Sequence, residues 1–186
     1  MDKKGNQRVA LTRRLIQESL LRLLSRKSLF QISIRELCGD AGVNRSTFYR
    51  HYGSQFDVLS GLEADYLARV EQTIAAADVR DNRDVLQRVT LVLQYAADNE
   101  ELSRMLINHN VDPSFSEKLF SLPKIGELLG DALSGQEDER RRRAIVSFAI
   151  HGSYTLIQEW INETPRRSAA EQAALILSLA RRVCGA

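Results

Sequence analysis

At 186 residues, 44% of them hydrophobic, the chain can bury a real core and carry an N-terminal subdomain, but it is short for two large independent domains. A formal net charge of +2 conceals a partition: residues 1–60 hold 11 Lys+Arg against 5 Asp+Glu, net +6, and the remainder holds 15 against 19, net −4, so a basic module suited to phosphates precedes an acidic body. No apolar run reaches about 18 residues, MDKKGNQ at the start lacks an apolar signal core, and Cys38 and Cys184 have no CxxC spacing; these features argue against a membrane helix, a leader, zinc and a disulfide framework, and a soluble cytoplasmic protein is expected.

Lys3, Lys4 and Arg8 read as a flexible basic arm. A first helix is expected from about Ala10 to Ser25, with Leu11, Leu15, Ile16, Leu20, Leu23 and Leu24 as its apolar face. Ser33 followed by Glu36 forms a capping box, and Ile32 with Leu37 a hydrophobic staple, so helix two starts at Ser33. It should end near Gly39, because Asp40 to Gly42 is a turn. Asn44 then caps a third helix, with Val43 and Phe48 as staple. Two helix starts this close leave room only for a helix-turn-helix. With Val43 and Phe48 facing inward, the helical period puts Arg45, Ser46, Tyr49 and Arg50 on the open side. Guanidinium forks suit guanine edges and phosphates, hydroxyls suit phosphates, and a Tyr ring suits thymine methyls.

Ser54 and Asp57 box a fourth helix, whose stripe of Leu59, Leu62, Tyr66, Val70 and Ile74 runs to about Ala77. Asp78 to Asn82 breaks it, and helices are expected over about Asp84–Asp98 and Glu100–Asn108. Asp112 as cap with Pro113 in the first turn opens a seventh, Pro123 interrupts the chain beyond it, and Ser134 to Gln136 is a loop. Helix eight spans about Glu137 to Asn162. Glu137, Asp138 and Glu139 each precede an Arg by four residues, so Arg141 to Arg143 read as members of helical ion pairs and not as a nucleic-acid patch. Ser168 and Glu171 box helix nine, about Ala169 to Cys184. Both last helices are apolar on more than one side, which suits burial against another subunit. Phe148, Ala149, Gly152, Leu156, Ala173, Leu177 and Ala180 are the residues expected there. Histidines 51, 109 and 151 belong to no catalytic or metal motif, and no Gly-rich phosphate loop occurs. An enzyme is not expected, nor a cofactor or a metal.

Ala41-Gly42-Val43 in the turn and Thr47-Phe48-Tyr49-Arg50-His51-Tyr52 on the third helix resemble, without a gap, the DNA-binding domain of the TetR/AcrR regulators. The likeness runs from about Val9 to Leu62. Segments Ala97–Leu102, Asp112–Phe115 and Ile157–Ile161 are similar, more loosely, to the C-terminal domain of a subgroup common in Gram-positive bacteria. The resemblance implies an all-α protein: a three-helix helix-turn-helix domain, residues 1–60, joined by a long helix to a helical effector and dimerisation domain, residues 61–186. It implies a homodimer, paired through its last two helices as a four-helix bundle, that holds a near-palindromic double-stranded operator and is released by a small-molecule effector. Arg45 and Tyr49 would then reach base edges, with Ser33, Asn44, Ser46, Thr47, Arg50, His51, Tyr52 and Gln55 completing the contact set. Gln55 departs from the family, which usually has Lys there against a phosphate; one lost charge weakens binding modestly. Phe115, Phe120, Tyr154 and Trp160 are the aromatics expected near an effector cavity. A different class of function keeps this fold: a dimeric helical adaptor or coactivator that binds a partner protein in place of an operator.

Overall fold

The structure, a computed structural model, describes residues 3–76, 84–108, 111–125 and 138–184. Among them every regular element is helical, and the protein is all-α. The chain divides into two compact units, Met1–Tyr66 and Leu67–Ala186, with the division falling inside one helix.

The first unit begins with α1, Lys3–Leu24. The residues expected as a loose arm therefore continue the helix: Gly5 alone does not stop it, and Thr12 Oγ1 returns to the Arg8 carbonyl at 2.9 Å. Ile16, Leu20 and Leu23 are buried, whereas Leu11 and Leu15 stay exposed. The working apolar face is thus the C-terminal half of the stripe. Buried Ser19 donates to the Leu37 carbonyl at 3.2 Å, and Arg22 pairs with Asp40 at 2.7 Å, fastening α1 to α2 (Ile34–Ala41). Ser33 caps α2 by accepting from Glu36 N at 3.2 Å, but the Glu36 carboxylate turns to Lys27, so the expected box is half made.

The helix also runs two residues past Gly39. Its stop is Gly42, at φ 66°, where Val43 N reaches Cys38 O at 3.0 Å and Gly42 N reaches Gly39 O at 3.4 Å. That is a Schellman closure, which needs the left-handed conformation that glycine takes most readily. Next come α3, Arg45–Tyr49, and α4, Gln55–Ala76. Of α4, Val58, Leu59, Leu62 and Tyr66 are buried in the first unit, and Val70 and Ile74 in the second.

The second unit holds α5 (Asp84–Asp98), α6 (Glu100–Ile107), α7 (Phe115–Phe120), α8 (Glu139–Asn162) and α9 (Ala169–Cys184). Its α9 packs chiefly on α5 and then on α8. Leu93, Ala96, Trp160, Ile161, Ala169, Ala173 and Ile176 form the shared core. Two polar side chains are tied to a helix end: Tyr154 Oη and Gln158 Nε2 both donate to Ile107 O, at 2.8 and 2.7 Å, satisfying a carbonyl that the end of α6 leaves open. Trp160 Nε1 donates to Arg167 O at 2.8 Å, with Arg166 stacked 5.2 Å from the ring centroid.

Asp112 does not cap α7 directly. It accepts from Ser114 N at 2.8 Å and pairs with Lys118 Nζ at 2.6 Å, and the helix opens at Phe115. Asp138 caps α8 by accepting from Arg141 N at 2.9 Å. Glu137, the 78–82 break, the 134–136 loop and His109 lie outside the described residues, as does the Glu139 side chain. Ser168 and Glu171 make the full box at the start of α9. Among the described residues no helix is long and apolar enough to cross a membrane.

Candidate nucleic-acid interface and effector cavity

Five residues are too few for a helix to persist alone, so α3 is held by its flanks. Asn44 Oδ1 accepts from Thr47 N at 2.7 Å and from Ser46 Oγ at 2.8 Å. Phe48 is fully buried, its ring 6.1 Å from Tyr52 and 5.6 Å from Tyr49. With that side inward, Arg45, Ser46, Tyr49 and Arg50 are all exposed together, Tyr49 by 57%. Arg50 leans on Thr47, Nη2 to Oγ1 3.3 Å. The Arg45 guanidinium makes no hydrogen bond to any other described residue, leaving its donors available to a ligand.

Ser33 and Gln55 stand at the N-terminal ends of α2 and α4, where unpaired backbone N–H groups favour an anion. At α4, Asp57 accepts from Gly53 N at 2.9 Å and Ser54 Oγ from Asp57 N at 3.3 Å. Thr47 and His51 are half-buried. Tyr52 requires a correction: it is only 6% exposed, Arg13 Nε donates to its hydroxyl at 3.3 Å, and Arg13 also lies over its ring at 5.6 Å. Its ring belongs to the core between α1 and α3, so Tyr52 positions α3 instead of offering a contact surface. Burial pushes the Cys38 thiol above its ordinary value, with the charge of Arg45 opposing, which keeps it a core thiol and not a nucleophile.

Sequence reasoning missed one surface feature of this unit. Phe30, 84% exposed, meets Phe56 edge-on at 5.3 Å. Its only signal was an aromatic beside each of two polar helix starts.

In the second unit a cavity of about 100 Å³ lies among α5, α7, α8 and α9. Val85, Val89, Val92 and Leu93 form one wall, Leu119, Phe120 and Ile125 a second, and Ala149, Ser153, Ile157, Ile176, Leu177 and Ala180 the rest. Of the four aromatics expected near it only Phe120 lines it. Phe115 and Trp160 are fully buried elsewhere in the core, and Tyr154 packs edge-on against Phe120 at 5.8 Å with its hydroxyl already committed to Ile107. The α5 valines escape a reading of the sequence, because aliphatic residues on an amphipathic helix carry no mark separating a cavity wall from a filled core.

A groove on α8 and α9 is lined by Phe148, Ala149, Gly152, Leu156, Leu179 and Ala180 among others. Phe148 is 65% exposed and Leu179 38%. Ala173 and Leu177, expected to meet another subunit, do not belong to it. Their side of α9 is turned inward, Ala173 into the cluster with Leu93 and Trp160, and Leu177 against Val85.

The TetR_C_8 family model, the transcriptional regulator C-terminal region, matches residues 84–182. No curated protein matches the chain significantly. Among solved structures, a TetR transcriptional regulator from Streptococcus agalactiae 2603V superposes with a TM-score of 0.71 at 18% identity, over 95% of this chain and 97% of that one. The dihydroxyacetone kinase operon activator DhaS gives 0.60 at 16% identity, covering 94% and 96%. Thermus thermophilus FadR, a TetR-family repressor in complex with lauroyl-CoA, gives 0.51 at 22%, covering 90% and 92%. These structures share the fold, and the family model spans more than half of the sequence. The chain belongs to the TetR family of transcriptional regulators.

Proposed function

We propose that the chain is a sequence-specific DNA-binding repressor without catalytic activity, which holds a near-palindromic operator as a homodimer and leaves it when an effector binds. The observation that carries this reading is the exposed side of α3, where Arg45, Ser46, Tyr49 and Arg50 project together from a helix fixed by Asn44 and Phe48. Arg45 and Tyr49, one turn apart, are assigned to base edges; Ser33, Thr47, His51 and Gln55 to phosphates. Residues 1–60 would be the reader and 61–186 the effector and dimerisation domain. Assembly would use the α8–α9 groove, with Phe148 and Gly152 at its open side. Related folds are described as an activator in one case and a repressor in another; repression is assigned because occupying an operator needs no surface beyond the reader. The FadR complex with lauroyl-CoA supports an effector site in the body, and the cavity is its place. Coupling would follow from a ligand that binds better when the two readers are mis-spaced.

Two readers on a two-fold axis need half-sites about one helical turn apart, roughly 34 to 36 Å. Selection of genomic fragments by the purified protein tests the reading. Enriched palindromes with that spacing are expected, and enrichment of none would overturn it in favour of a partner-binding protein.

A further inference from the structure

The cavity and the groove share walls: Ala149, Ser153, Ile176 and Ala180 line both. We propose that the cavity takes a small, uncharged, largely apolar molecule bearing at most one hydrogen-bonding group, and that its binding is thermodynamically linked to the pairing of two copies across the groove. This rests on the two-copy assembly proposed above.

The ligand class follows from the lining. The described wall is aliphatic apart from the Phe120 ring and the Ser153 hydroxyl, with neither carboxylate nor cation. A carboxylate, ammonium or phosphate entering it would surrender its hydration and meet no compensating group. Ser153 is half-buried and its hydroxyl makes no hydrogen bond to any other described residue, so it can serve one carbonyl or hydroxyl of a ligand. The space of about 100 Å³ is below the roughly 150 Å³ of an apolar cavity that stays dry and admits benzene. It therefore takes a short alkyl group whole, and of a ring or a longer uncharged molecule only one end, the rest lying at its open mouth.

Linkage follows from the shared walls. An occupant presses on the cavity side of Ala149 and Ile176, and a second copy presses on their groove side. Close-packed walls pass displacement on instead of absorbing it. Whatever the ligand does to the pairing equilibrium, pairing does to ligand affinity by the same factor.

Toluene and hexan-1-ol serve as probes, hexanoate and hexylammonium as charged controls, on the full chain without DNA. Calorimetry should show the neutral probes binding at least about tenfold more tightly than the controls. Sedimentation over a concentration series should show a pairing constant changed about fivefold or more, in either direction, when toluene saturates. Ser153→Ala should keep toluene and weaken hexan-1-ol. Val89→Phe fills the cavity from α5 as an occupant would, and should abolish probe binding while moving the probe-free pairing constant in the same direction as saturating toluene; should it fail to fold, Val92→Leu should weaken toluene in the same sense. Equal binding of the charged controls, or no binding of either neutral probe, would overturn the ligand class. Probe binding that leaves the pairing constant unmoved, or a chain monomeric throughout, would overturn the linkage. Failure to find an operator would leave all these readings intact and would strike only the DNA-binding role.

Discussion

Gly39 and Gly42 lie three positions apart in one helix end and are predicted to respond oppositely to the same substitution. Neither has any atom within 4 Å of an added Cβ, so the backbone decides. Gly42, at φ 66°, should lose about 1 to 2 kcal/mol on Gly42→Ala, with Asn recovering part of it. Gly39 is helical, and Gly39→Ala should gain about 0.5 to 1 kcal/mol. Urea unfolding of both variants checks the signs; a stabilised Gly42→Ala would mean that α2 closes some other way. At the reader, Arg45→Ala should cost about 1 to 3 kcal/mol per half-site on the preferred operator and little on random DNA. Titrations on both DNAs decide it, since equal losses would assign Arg45 to phosphate. Asp112 is burdened by desolvation, which raises its pKa, but the Lys118 ammonium and the Ser114 N–H and hydroxyl outweigh that and lower it from 3.8 to about 2. A carboxylate depressed on folding contributes stability that is present above its unfolded pKa and lost as pH falls from near 4 toward 2. With Lys118 itself 42% exposed, screening reduces the contribution to on the order of 1 kcal/mol. Asp112→Asn should therefore be less stable than the parent by that amount at pH 6, and the gap should close as pH falls toward 2.5; a constant gap would show that packing and not charge is involved.

What could be read at the level of elements divides along the range of the interaction involved. Helix starts at Ser33, Asn44 and Ser168 depend on a side chain reaching a backbone N–H three residues ahead, and such signals are complete within the local sequence. The end of α2 was misplaced because Gly39 and Gly42 look alike in sequence, and only the closing bonds from Val43 and Gly42 distinguish them. The N-terminal extension of α1 and the failed half of the Ser33 box have related causes: weak breakers do not stop a helix, and Lys27 competes for Glu36 from outside the local window. The exposed side of α3 was legible for the opposite reason, since Asn44 and Phe48, both within the local sequence, orient so short a helix. Tyr52 defeated the same logic because Arg13, far away in sequence, claims its hydroxyl and face. Likewise the apolar width of α9 is consumed mostly by α5, and periodicity has no means of naming which helix a face will meet.

For the molecule as a whole, the proposed assembly has a direct test at Gly152, which is exposed and has open space around an added Cβ. A large side chain there should leave the protomer folded, so Gly152→Arg should convert a dimer of about twice 21.0 kDa into a soluble monomer, because pairing would bury an uncompensated charge. Sedimentation that returns an unchanged dimer would move the interface elsewhere. The pairing of α5 with α9 has another consequence, which concerns the order in which the protein comes into being. The first unit is complete in sequence once Tyr66 is made, whereas Leu93 and Val85 wait for Ala173 and Leu177 at the far end of the chain. During translation the basic unit can close while the apolar side of α5 still has no cover. Through that interval the nascent body depends on its solubility or on a chaperone, and nascent chains halted after residue 160 should resist protease over the first unit and yield to it throughout α5.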